Sequence, residues 1–420
     1  MSKNKSNNNF DLIIIGGGLA GASLACSLMN ARLQKPLKIA VVEAFELNTE
    51  AQPCYDDRTV ALSYGSRCIF DSMGLWSALE PYAEAIDNIH ISDRGHLGVT
   101  RLSKEQEGVE ALGYVLENRA IGQQLYAAMS TNPNITLLCP AEVCSVNQRS
   151  ADQVSVEVKL GGQAGDQKQT LSARLLVAAD GNNSQVMQLL NIGSSRKNYK
   201  QSALITNVTP GKKHNNVAYE RFTEDGPLAF LPMTENRCSV VWTVSPSQAE
   251  ELYELDEKTF LMRLQQRFGF RLGQIKKVGK RQIYPLFLQS ASQIIAERVA
   301  VIGNAAHSVH PVAGQGFNLA LRDVALLSEL IVENARSGKD IGGPLLLQQY
   351  EKQREEDIKR VYRFTDMLVR TFSNTIKPLA HMRSLSLLLV DILPDIKHQL
   401  AKQSMGLHGR ISRLGRGLDL

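Results

Sequence analysis

The sequence predicts an α/β fold in which a parallel-sheet domain is interleaved with an antiparallel-sheet domain and followed by a helical C-terminal region. Three observations predict it: an apolar run that enters a glycine-rich turn at residues 11–21, short β-rich runs between residues 200 and 290, and a mostly helical pattern from residue 321 onward. A chain of 420 residues is also longer than one simple domain usually is, so two interleaved domains are expected.

The first 45 residues have the pattern of a strand, a tight turn, a helix and a second strand. The apolar run at 11–15 enters Gly16-Gly-Gly-Leu-Ala-Gly21, and a second apolar run ends at Glu43. In such a Rossmann arrangement Gly16 permits the turn, Gly18 lets the backbone approach a pyrophosphate, and Gly21 lets helix and strand pack closely. Glu43 is placed to accept hydrogen bonds from a ribose diol. The segment predicts a dinucleotide site but does not separate NAD from FAD.

Two more apolar runs lead into loops. Residues 171–179 are typical of a buried strand that stops at Asp180-Gly181, and residues 298–302 lead into a loop of small residues at 303–318. Ligands of open α/β sheets bind beyond the carboxyl ends of the strands, so we expect the three loops to converge on one large dinucleotide, which favours FAD. A helix that begins near Gly316 directs its free N–H groups and positive end at a reduced, negatively charged flavin.

The middle of the chain has a different pattern. Short β-rich runs at 217–222, 228–233, 238–244 and 282–288 are separated by turn residues and by one helical stretch at 248–268, which predicts an antiparallel sheet. A loop at 52–62 is expected to run into a helix that ends near residue 79. The expected domain limits are residues 10–80, 105–190 and 295–340 for the dinucleotide domain, 81–104 and 191–294 for the antiparallel-sheet domain, and 341–420 for the helical region.

Composition argues against several other classes of protein. The formal net charge of +5 and the hydrophobic share of 43% are typical of a globular protein and give no indication of nucleic-acid binding. The six cysteines form no C-x-x-C pair or metal-like cluster, so reduced thiols and no metal site are expected. The first ten residues lack the apolar core of a signal peptide, and no apolar run is long enough to span a bilayer. We therefore expect a cytoplasmic protein that is soluble or peripheral on the inner membrane.

Three motifs carry a resemblance to a known family. Gly16-Gly-Gly-Leu-Ala-Gly21, Asp180-Gly181-Asn-Asn-Ser184, and Gly303-Asn304 with residues 311–323 resemble those of the single-component FAD-dependent aromatic hydroxylases, the p-hydroxybenzoate hydroxylase type. Within that family, residues 57–62, 92–96 and 310–323 are similar to the hydroxylases of ubiquinone biosynthesis. The resemblance covers the whole chain. It implies an FAD-binding Rossmann domain, an interleaved antiparallel-sheet substrate domain and a helical C-terminal region.

The resemblance also implies roles for individual residues. The ADP half of FAD would be held by Gly16, Gly18, Gly21 and Glu43, and the pyrophosphate or flavin would lie near Arg58. FAD and the incoming nicotinamide would both pass Asp180 and Gly181. The ribityl and phosphate region would meet Gly303 and Asn304, and the isoalloxazine edge would be cradled by Gly314, Gln315, Gly316 and Asn318. Two positions depart from the family pattern. Asn304 stands where aspartate is usual, and Met187 stands where arginine is usual, which weakens any claim about how the nicotinamide is gripped.

The implied reaction is the hydroxylation of a polyprenylated phenol of the 2-octaprenyl-6-methoxyphenol type. NAD(P)H would reduce FAD, and the reduced flavin would react with O₂ to give a C4a-hydroperoxide that an electron-rich ring attacks. A base near the phenol hydroxyl would activate the ring. His307, His310 and Tyr219 are weak candidates, together with His96, and a structural role is the better expectation for each of them.

Several alternatives stay open. The chain could be another ubiquinone-pathway hydroxylase or a soluble aromatic hydroxylase, a flavin reductase, dehydrogenase or redox sensor that inserts no oxygen, or a scaffold with a degenerate cofactor site. Five basic residues follow position 396 with no acidic residue between 397 and 416: Lys397, Lys402, Arg410, Arg413 and Arg416. Such a stretch suits an anionic membrane surface, a complex with other ubiquinone-biosynthesis proteins, or a solvated face. The sequence does not give the ring position, the prenyl length, the choice between NADH and NADPH, or the oligomeric state.

Overall fold

The structure of the protein, a computed structural model, describes residues 8–46, 58–96, 98–148, 150–161, 167–309, 314–372, 387 and 389–420. Its strands are β1 (Asn9–Ile15), β2 (Ile39–Val42), β3 (Thr59–Ser63), β4 (Glu84–Ile86), β5 (Asn88–Asp93), β6 (Val99–Ser103), β7 (Gly113–Glu117), β8 (Ile135–Leu138), β9 (Ala141–Asn147), β10 (Val154–Leu160), β11 (Lys168–Ala178), β12 (Ser194–Thr209), β13 (Val217–Phe222), β14 (Pro227–Met233), β15 (Arg237–Val244), β16 (Lys277–Val278), β17 (Gln282–Ala291), β18 (Ile295–Ala296), β19 (Val299–Val301) and β20 (His307–Ser308). Its helices are α1 (Leu19–Met29), α2 (Tyr64–Ser72), α3 (Trp76–Leu79), α4 (Lys104–Glu107), α5 (Asn118–Thr131), α6 (Gln185–Leu189), α7 (Pro246–Glu254), α8 (Glu257–Phe268), α9 (Gln315–Arg336), α10 (Pro344–Phe372) and α11 (Pro394–Ser404).

The first sheet has a parallel centre. Strands β19, β11, β1, β2 and β8 lie side by side in that order, and each neighbouring pair is parallel. Ile13 and Ile14 of β1 and Val41 of β2 are fully buried, as expected for apolar parallel strands that are covered on both faces. α1 packs against α5 and α9. The strand, turn, helix and strand predicted for the N-terminal segment are therefore confirmed.

The second sheet contains the β-rich runs of the middle of the chain. Its strand order is β20-β17-β12-β15-β14-β13-β5-β6. The pairs are antiparallel with one departure, because β13 runs parallel to β5. β5 arrives from a segment far upstream of β13, so no hairpin turn joins the two strands and local turn signals could not show their relative direction.

One face of the second sheet is covered by α7 and α8. Phe230 of β14 stacks on Phe268 of α8 with ring centroids 3.8 Å apart, and Trp242 of β15 packs edge-on against Phe260 at 6.1 Å. These side chains belong to a buried apolar cluster of their own, separate from the cluster around β1 and α9. The second sheet therefore has one dry, helix-covered face, and its other face is available to the rest of the molecule.

Two local predictions are wrong in extent. The single helix predicted at 248–268 is two helices, because Asp256 caps α8 by accepting a hydrogen bond from the Thr259 N–H at 3.0 Å and so begins a new helix. The part of the predicted 52–62 loop that the structure describes includes β3, which pairs antiparallel with β7. The partner of β3 lies far along the chain, where a local pattern cannot reveal it.

The predicted fold class is confirmed by this arrangement: an α/β domain, an interleaved and mainly antiparallel sheet, and a helical C-terminal region. Five cysteines fall within the described ranges, and none of them forms a disulfide. No helix in the part of the chain that the structure describes is long and apolar enough to cross a membrane.

We expect Phe260→Ala to destabilise the second sheet and its helices by about 3–5 kcal/mol, because the ring is fully buried and its removal leaves a cavity. Urea unfolding followed by tryptophan fluorescence reports on this cluster through Trp242. Phe270→Ala is the matched control, since Phe270 is 70% exposed, and it should change stability by less than about 0.5 kcal/mol. Equal losses from both variants would contradict the packing described above.

Candidate active site

The glycine-rich turn after β1 is pressed between two other segments. Gly16 has a φ of +99°, and a Cβ placed on it would lie 2.5 Å from the carbonyl oxygen of Ala179. A Cβ placed on Gly21 would lie 1.9 Å from the carbonyl oxygen of Gly16. Only glycine fits at either position, so the turn brings the first residues of α1 and the end of β11 together.

Glu43 at the end of β2 is held against this turn. Its Oε2 atom accepts a hydrogen bond from the Gly17 N–H at 2.6 Å, and its Oε1 atom accepts one from the Phe45 N–H at 3.0 Å. Burial raises the pKa of the Glu43 carboxyl above its ordinary value, although these two N–H groups act in the opposite direction. The carboxylate thus positions the turn, and its contact with a ribose remains a prediction.

The three loops predicted to converge follow three adjacent strands. Ile15 of β1 pairs with Ala178 of β11, which pairs in turn with Val301 of β19. The carboxyl ends of the three strands are therefore level with one another. In a parallel sheet this edge is where ligands bind.

The second loop contains a carboxylate oxygen that is free to accept a hydrogen bond. Asp180 accepts from the Val186 N–H through Oδ2 at 3.1 Å, whereas its buried Oδ1 has no hydrogen-bond partner among the described residues. Burial raises the pKa of Asp180. Gly181 has a φ of +81°, and a Cβ placed on it would meet no atom of the described residues within 4 Å. An acceptor beside open space fits a hydroxyl-rich cofactor, so the loop is suited to FAD.

The third loop is fixed by a buried network of charges. Oδ2 of Asp323 on α9 accepts from the Gly303 N–H at 2.8 Å and contacts Nε2 of His307 at 2.6 Å, and Oδ1 accepts from Nε of Arg354 at 2.6 Å. Asp323 is fully buried. Burial alone would raise its pKa, but His307 and Arg354 hold that pKa below the ordinary value. The network ties Gly303 and His307 of the third loop to α9 and α10.

Asn318 ties the start of α9 to β3 and α2. Its Nδ2 atom donates to the carbonyl oxygens of Ala61 and Gly314 at 2.8 and 2.7 Å. Its Oδ1 atom accepts from the Ser63 N–H at 2.8 Å and from Ser66 Oγ at 2.7 Å. These four bonds use the full capacity of a carboxamide. Asn318 therefore positions the loop, and its place at the isoalloxazine edge stays a prediction.

The remaining loop residues differ in how open their surroundings are. Gly303 and Gly314 have φ values of +62° and +61°, which favour glycine. Asn304 is exposed, and Gln315 is buried. Among the described residues, a Cβ placed on Gly316 would have one neighbouring atom within 4 Å, Cγ2 of Val309.

The candidate bases are placed apart from one another. His307 is 1% exposed and bonded to Asp323. Tyr219 lies on the covered face of the second sheet, edge-on to Phe268. His96 faces Asp93 at 3.2 Å in the turn between β5 and β6. His310 lies outside the described residues. The structure does not bring these side chains together.

Arg58 borders a positively charged groove of about 550 Å³ between β3, α5 and the second sheet. Its guanidinium lies over the Tyr284 ring, 4.9 Å from the centroid. The groove is lined by five cations, Arg58, Arg119, Arg237, Lys277 and Lys280, and by two carboxylates, Glu117 and Glu235. Such an excess of positive charge suits an anionic ligand. No group of three metal-binding side chains was found within the described ranges.

Sequence reasoning missed Asp323 as the centre of the third loop. The available signal was a single acidic residue within the apolar run Leu319-Ala-Leu-Arg-Asp323-Val-Ala-Leu-Leu327, where a charge has to be paired if it is buried. Its partner Arg354 lies on the next helix and carries no signal of its own. A single sequence does not reveal such a pair.

Comparison with known proteins agrees with the geometry. A family profile described as an FAD-binding domain matches residues 9–365. A ubiquinone hydroxylase, UbiL, of Rhodospirillum rubrum is 37% identical over 98% of this chain and 93% of its own. The 3-demethoxyubiquinol 3-hydroxylase of Escherichia coli is 30% identical over 96% of this chain and 100% of its own.

The fold also matches a solved structure. The p-nitrophenol 4-monooxygenase PnpA of Pseudomonas putida aligns with a TM-score of 0.78 over 96% of this chain and 99% of its own, at 17% identity. Fold, site and matches define an FAD-dependent aromatic monooxygenase that uses NAD(P)H. The chain belongs to the family of FAD-dependent ubiquinone hydroxylases.

We expect Asp323→Asn to destabilise the protein by about 3–5 kcal/mol and to weaken FAD retention, because it removes one of the two carboxylates that pair with the buried Arg354 and leaves Asp357 alone to balance its charge. Urea unfolding and the flavin absorbance of the purified protein measure the two effects. Asp71→Asn is the control. Asp71 forms an exposed ion pair with Arg67 at 3.1 Å, and such pairs contribute about 0–1 kcal/mol. Normal stability and FAD content in Asp323→Asn would show that the network does not hold the loop.

Proposed function

We propose that the protein hydroxylates a polyprenylated phenol during ubiquinone biosynthesis, with a substrate of the 2-octaprenyl-6-methoxyphenol type. The observation that carries this proposal is the level alignment of three loops at the ends of β1, β11 and β19. It occurs in a chain that is 37% identical to a protein named a ubiquinone hydroxylase. The 30% identical relative is named as a 3-hydroxylase of demethoxyubiquinol, so the position of attack on the ring is what an experiment has to decide.

The residues of the three loops have separate tasks in this proposal. FAD, when bound, supplies an electrophilic oxygen atom derived from O₂. The turn from Gly16 to Gly21 and the N-terminus of α1 bind the pyrophosphate, and Glu43 binds the adenosine ribose. Oδ1 of Asp180 accepts a hydrogen bond from the cofactor. Asn304 contributes a neutral polar group to the ribityl region where the family usually has a carboxylate.

NAD(P)H is the hydride donor in this proposal, and its nicotinamide passes Asp180 and Gly181. The groove beside Arg58 supports docking of the donor's phosphates, because its five cations outnumber its two carboxylates. Met187, which stands where the family usually has arginine, is buried and brings no charge to the nicotinamide.

The C-terminal region supports contact with a membrane, where a polyprenyl substrate resides. Four large apolar residues, Leu389, Ile392, Leu393 and Ile396, are between 42% and 70% exposed, and we refer to them as the 389–396 patch. Lys402 and Arg416 are exposed, whereas Arg410 is paired with Glu329 at 3.1 Å. Exposed apolar side chains on a region that also carries exposed cations suit the surface of an anionic bilayer.

We expect Ile392→Ser/Ile396→Ser to reduce binding to vesicles of phosphatidylglycerol and phosphatidylethanolamine by at least about tenfold, because each apolar side chain contributes about 1.5–3 kcal/mol when it leaves water. Cosedimentation measures the binding. The control is Met262→Ser/Phe270→Ser, since Met262 and Phe270 are 53% and 70% exposed on another part of the surface. Equal binding of vesicles by the patch variant and the control variant would contradict the proposed membrane contact.

Two measurements test the function, one on a deletion strain and one on the purified protein. We expect deletion to cause accumulation of a polyprenylated phenol that lacks one ring hydroxyl, and the structure of that phenol identifies the position. The purified protein with FAD, NAD(P)H and ¹⁸O₂ should place one labelled oxygen in the phenolic product. Oxidation of NAD(P)H without label in any product would instead indicate a flavin reductase or dehydrogenase, and protein that does not regain FAD from added cofactor would indicate a scaffold.

A further inference from the structure

Neighbouring residues of β13 lie on opposite faces of the second sheet. Tyr219 is on the face covered by α8, because its ring packs edge-on against Phe268 with centroids 5.5 Å apart. Arg221 is on that face as well, since its Nη1 atom donates to the Phe268 carbonyl oxygen at 2.6 Å. Side chains alternate along a strand, so Glu220 lies on the other face.

The face that carries Glu220 packs against β3. Glu220 is directly opposite Ala229 of β14, which is opposite Val241 of β15, and directly paired residues share a face. Ser239, two residues before Val241, is therefore on this face too. The Thr59 hydroxyl of β3 donates to Ser239 Oγ at 2.7 Å.

β3 in turn lies against the start of α9. The carbonyl oxygen of Ala61 accepts from Asn318 Nδ2 at 2.8 Å, and a Cβ placed on Gly314 would lie 3.1 Å from the Ala61 Cβ. β3 is thus sandwiched between the Glu220 face of the second sheet and the third loop. Glu220 belongs to the side of the substrate domain that is turned toward the flavin loops.

The Glu220 carboxylate makes no hydrogen bond or ion pair with any residue that the structure describes. By contrast, the buried carboxylate of Glu329 on α9 is bonded to Arg410 and to the Arg413 N–H. The side chain is only partly exposed, between Ala229 and Ile91. On the adjoining strands the ionisable group that shares this face is Asp93, which is paired with His96. Because no described side chain occupies it, this partly exposed carboxylate is available to accept a hydrogen bond or a proton from a ligand on this face of the sheet.

We propose that Glu220 is a catalytic residue that contacts the phenol hydroxyl of the substrate and accepts its proton. This assignment rests on the proposed phenol hydroxylation. The O–H bond of the phenol breaks, its proton moves to a carboxylate oxygen of Glu220, and the electron pair stays on the phenolate oxygen. The added electron density makes the ring a better nucleophile toward the electrophilic oxygen. The proton passes to water when the product leaves.

Burial gives Glu220 suitable acidity for this task. It raises the pKa of the carboxyl to about 7, near the pH at which a general base is most effective in the cell. Only the ionised carboxylate accepts a proton, so hydroxylation should increase as the pH rises through about 7 and level off above it. His307 is less suited to this task, because its ring is 1% exposed and bonded to Asp323.

The test uses the FAD-loaded protein, NAD(P)H and a short soluble probe, 2-(3-methylbut-2-enyl)phenol. Glu220→Gln keeps the shape of the side chain and removes the base. We expect it to lower kcat for hydroxylation by at least about 100-fold near neutral pH, with FAD content and the unfolding midpoint unchanged. Glu220→Asp keeps a carboxylate, and it should retain the pH profile at a lower rate.

A second measurement separates proton acceptance from a structural role. The rate of hydroxylation is measured against pH in both proteins. In the unaltered protein the rate should rise through about 7, where Glu220 ionises. In Glu220→Gln that rise should be absent, and the rate should increase only toward a pH of about 10, where the phenol of the probe loses its proton to solvent. Glu250→Gln, an exposed change on α7, is the control and should leave the rate and the pH profile unchanged.

The outcomes are distinguishable. If the unaltered protein places no ¹⁸O in the probe or in the accumulated phenol, the proposed function fails. If it does so and Glu220→Gln keeps the same rate and pH profile, the assignment of Glu220 alone is overturned. Loss of the pH profile in Tyr219→Phe but not in Glu220→Gln would also overturn it and would move the role to the opposite face of β13.

Discussion

The buried carboxylate of Asp323 is the group on which the geometry of the third loop depends. It joins the Gly303 N–H and the His307 ring of the third loop to the Arg354 guanidinium of α10. Removing an ion from water is costly, and here the cost is offset by three hydrogen bonds and by the opposite charge of Arg354. Because the loop follows β19, beside the loops of β11 and β1, the same carboxylate sets the position of the third loop relative to the other two.

β3 transmits this arrangement to the second sheet. On one side of β3, Asn318 of α9 bonds to Ala61 and Ser63, and on the other side Thr59 donates to Ser239 of the second sheet. A short strand with polar contacts on two sides fixes the spacing between the flavin loops and the sheet that covers them. The chemistry of a hydroxylase requires the reacting groups to be held at a defined distance and away from water. In this molecule that spacing depends on hydrogen bonds to a strand that the local sequence pattern did not indicate.

Prediction from sequence succeeded where the signal is local. The turn at Gly16, the apolar strands and the β-rich runs are confirmed, because strand periodicity and glycine turns are properties of adjacent residues. Prediction was incomplete where a partner lies far along the chain. The parallel pair of β13 and β5 and the strand β3 were missed for that reason. The division between α7 and α8 was missed although its signal, Asp256 followed by Thr259, is local.

The sequence by itself indicated the class of protein: a glycine turn typical of dinucleotide sites, three apolar strands that end in polar loops, and motifs that resemble flavin-dependent hydroxylases. It could not determine which side chains face the reaction. Tyr219 and Glu220 are adjacent in the chain, and only the pairing of β13 with its neighbours puts one against α8 and the other toward the flavin loops. The residues predicted to bind the cofactor follow from local backbone geometry, whereas the position of Glu220, which has no partner among the described residues, follows from the register of strands brought together by folding.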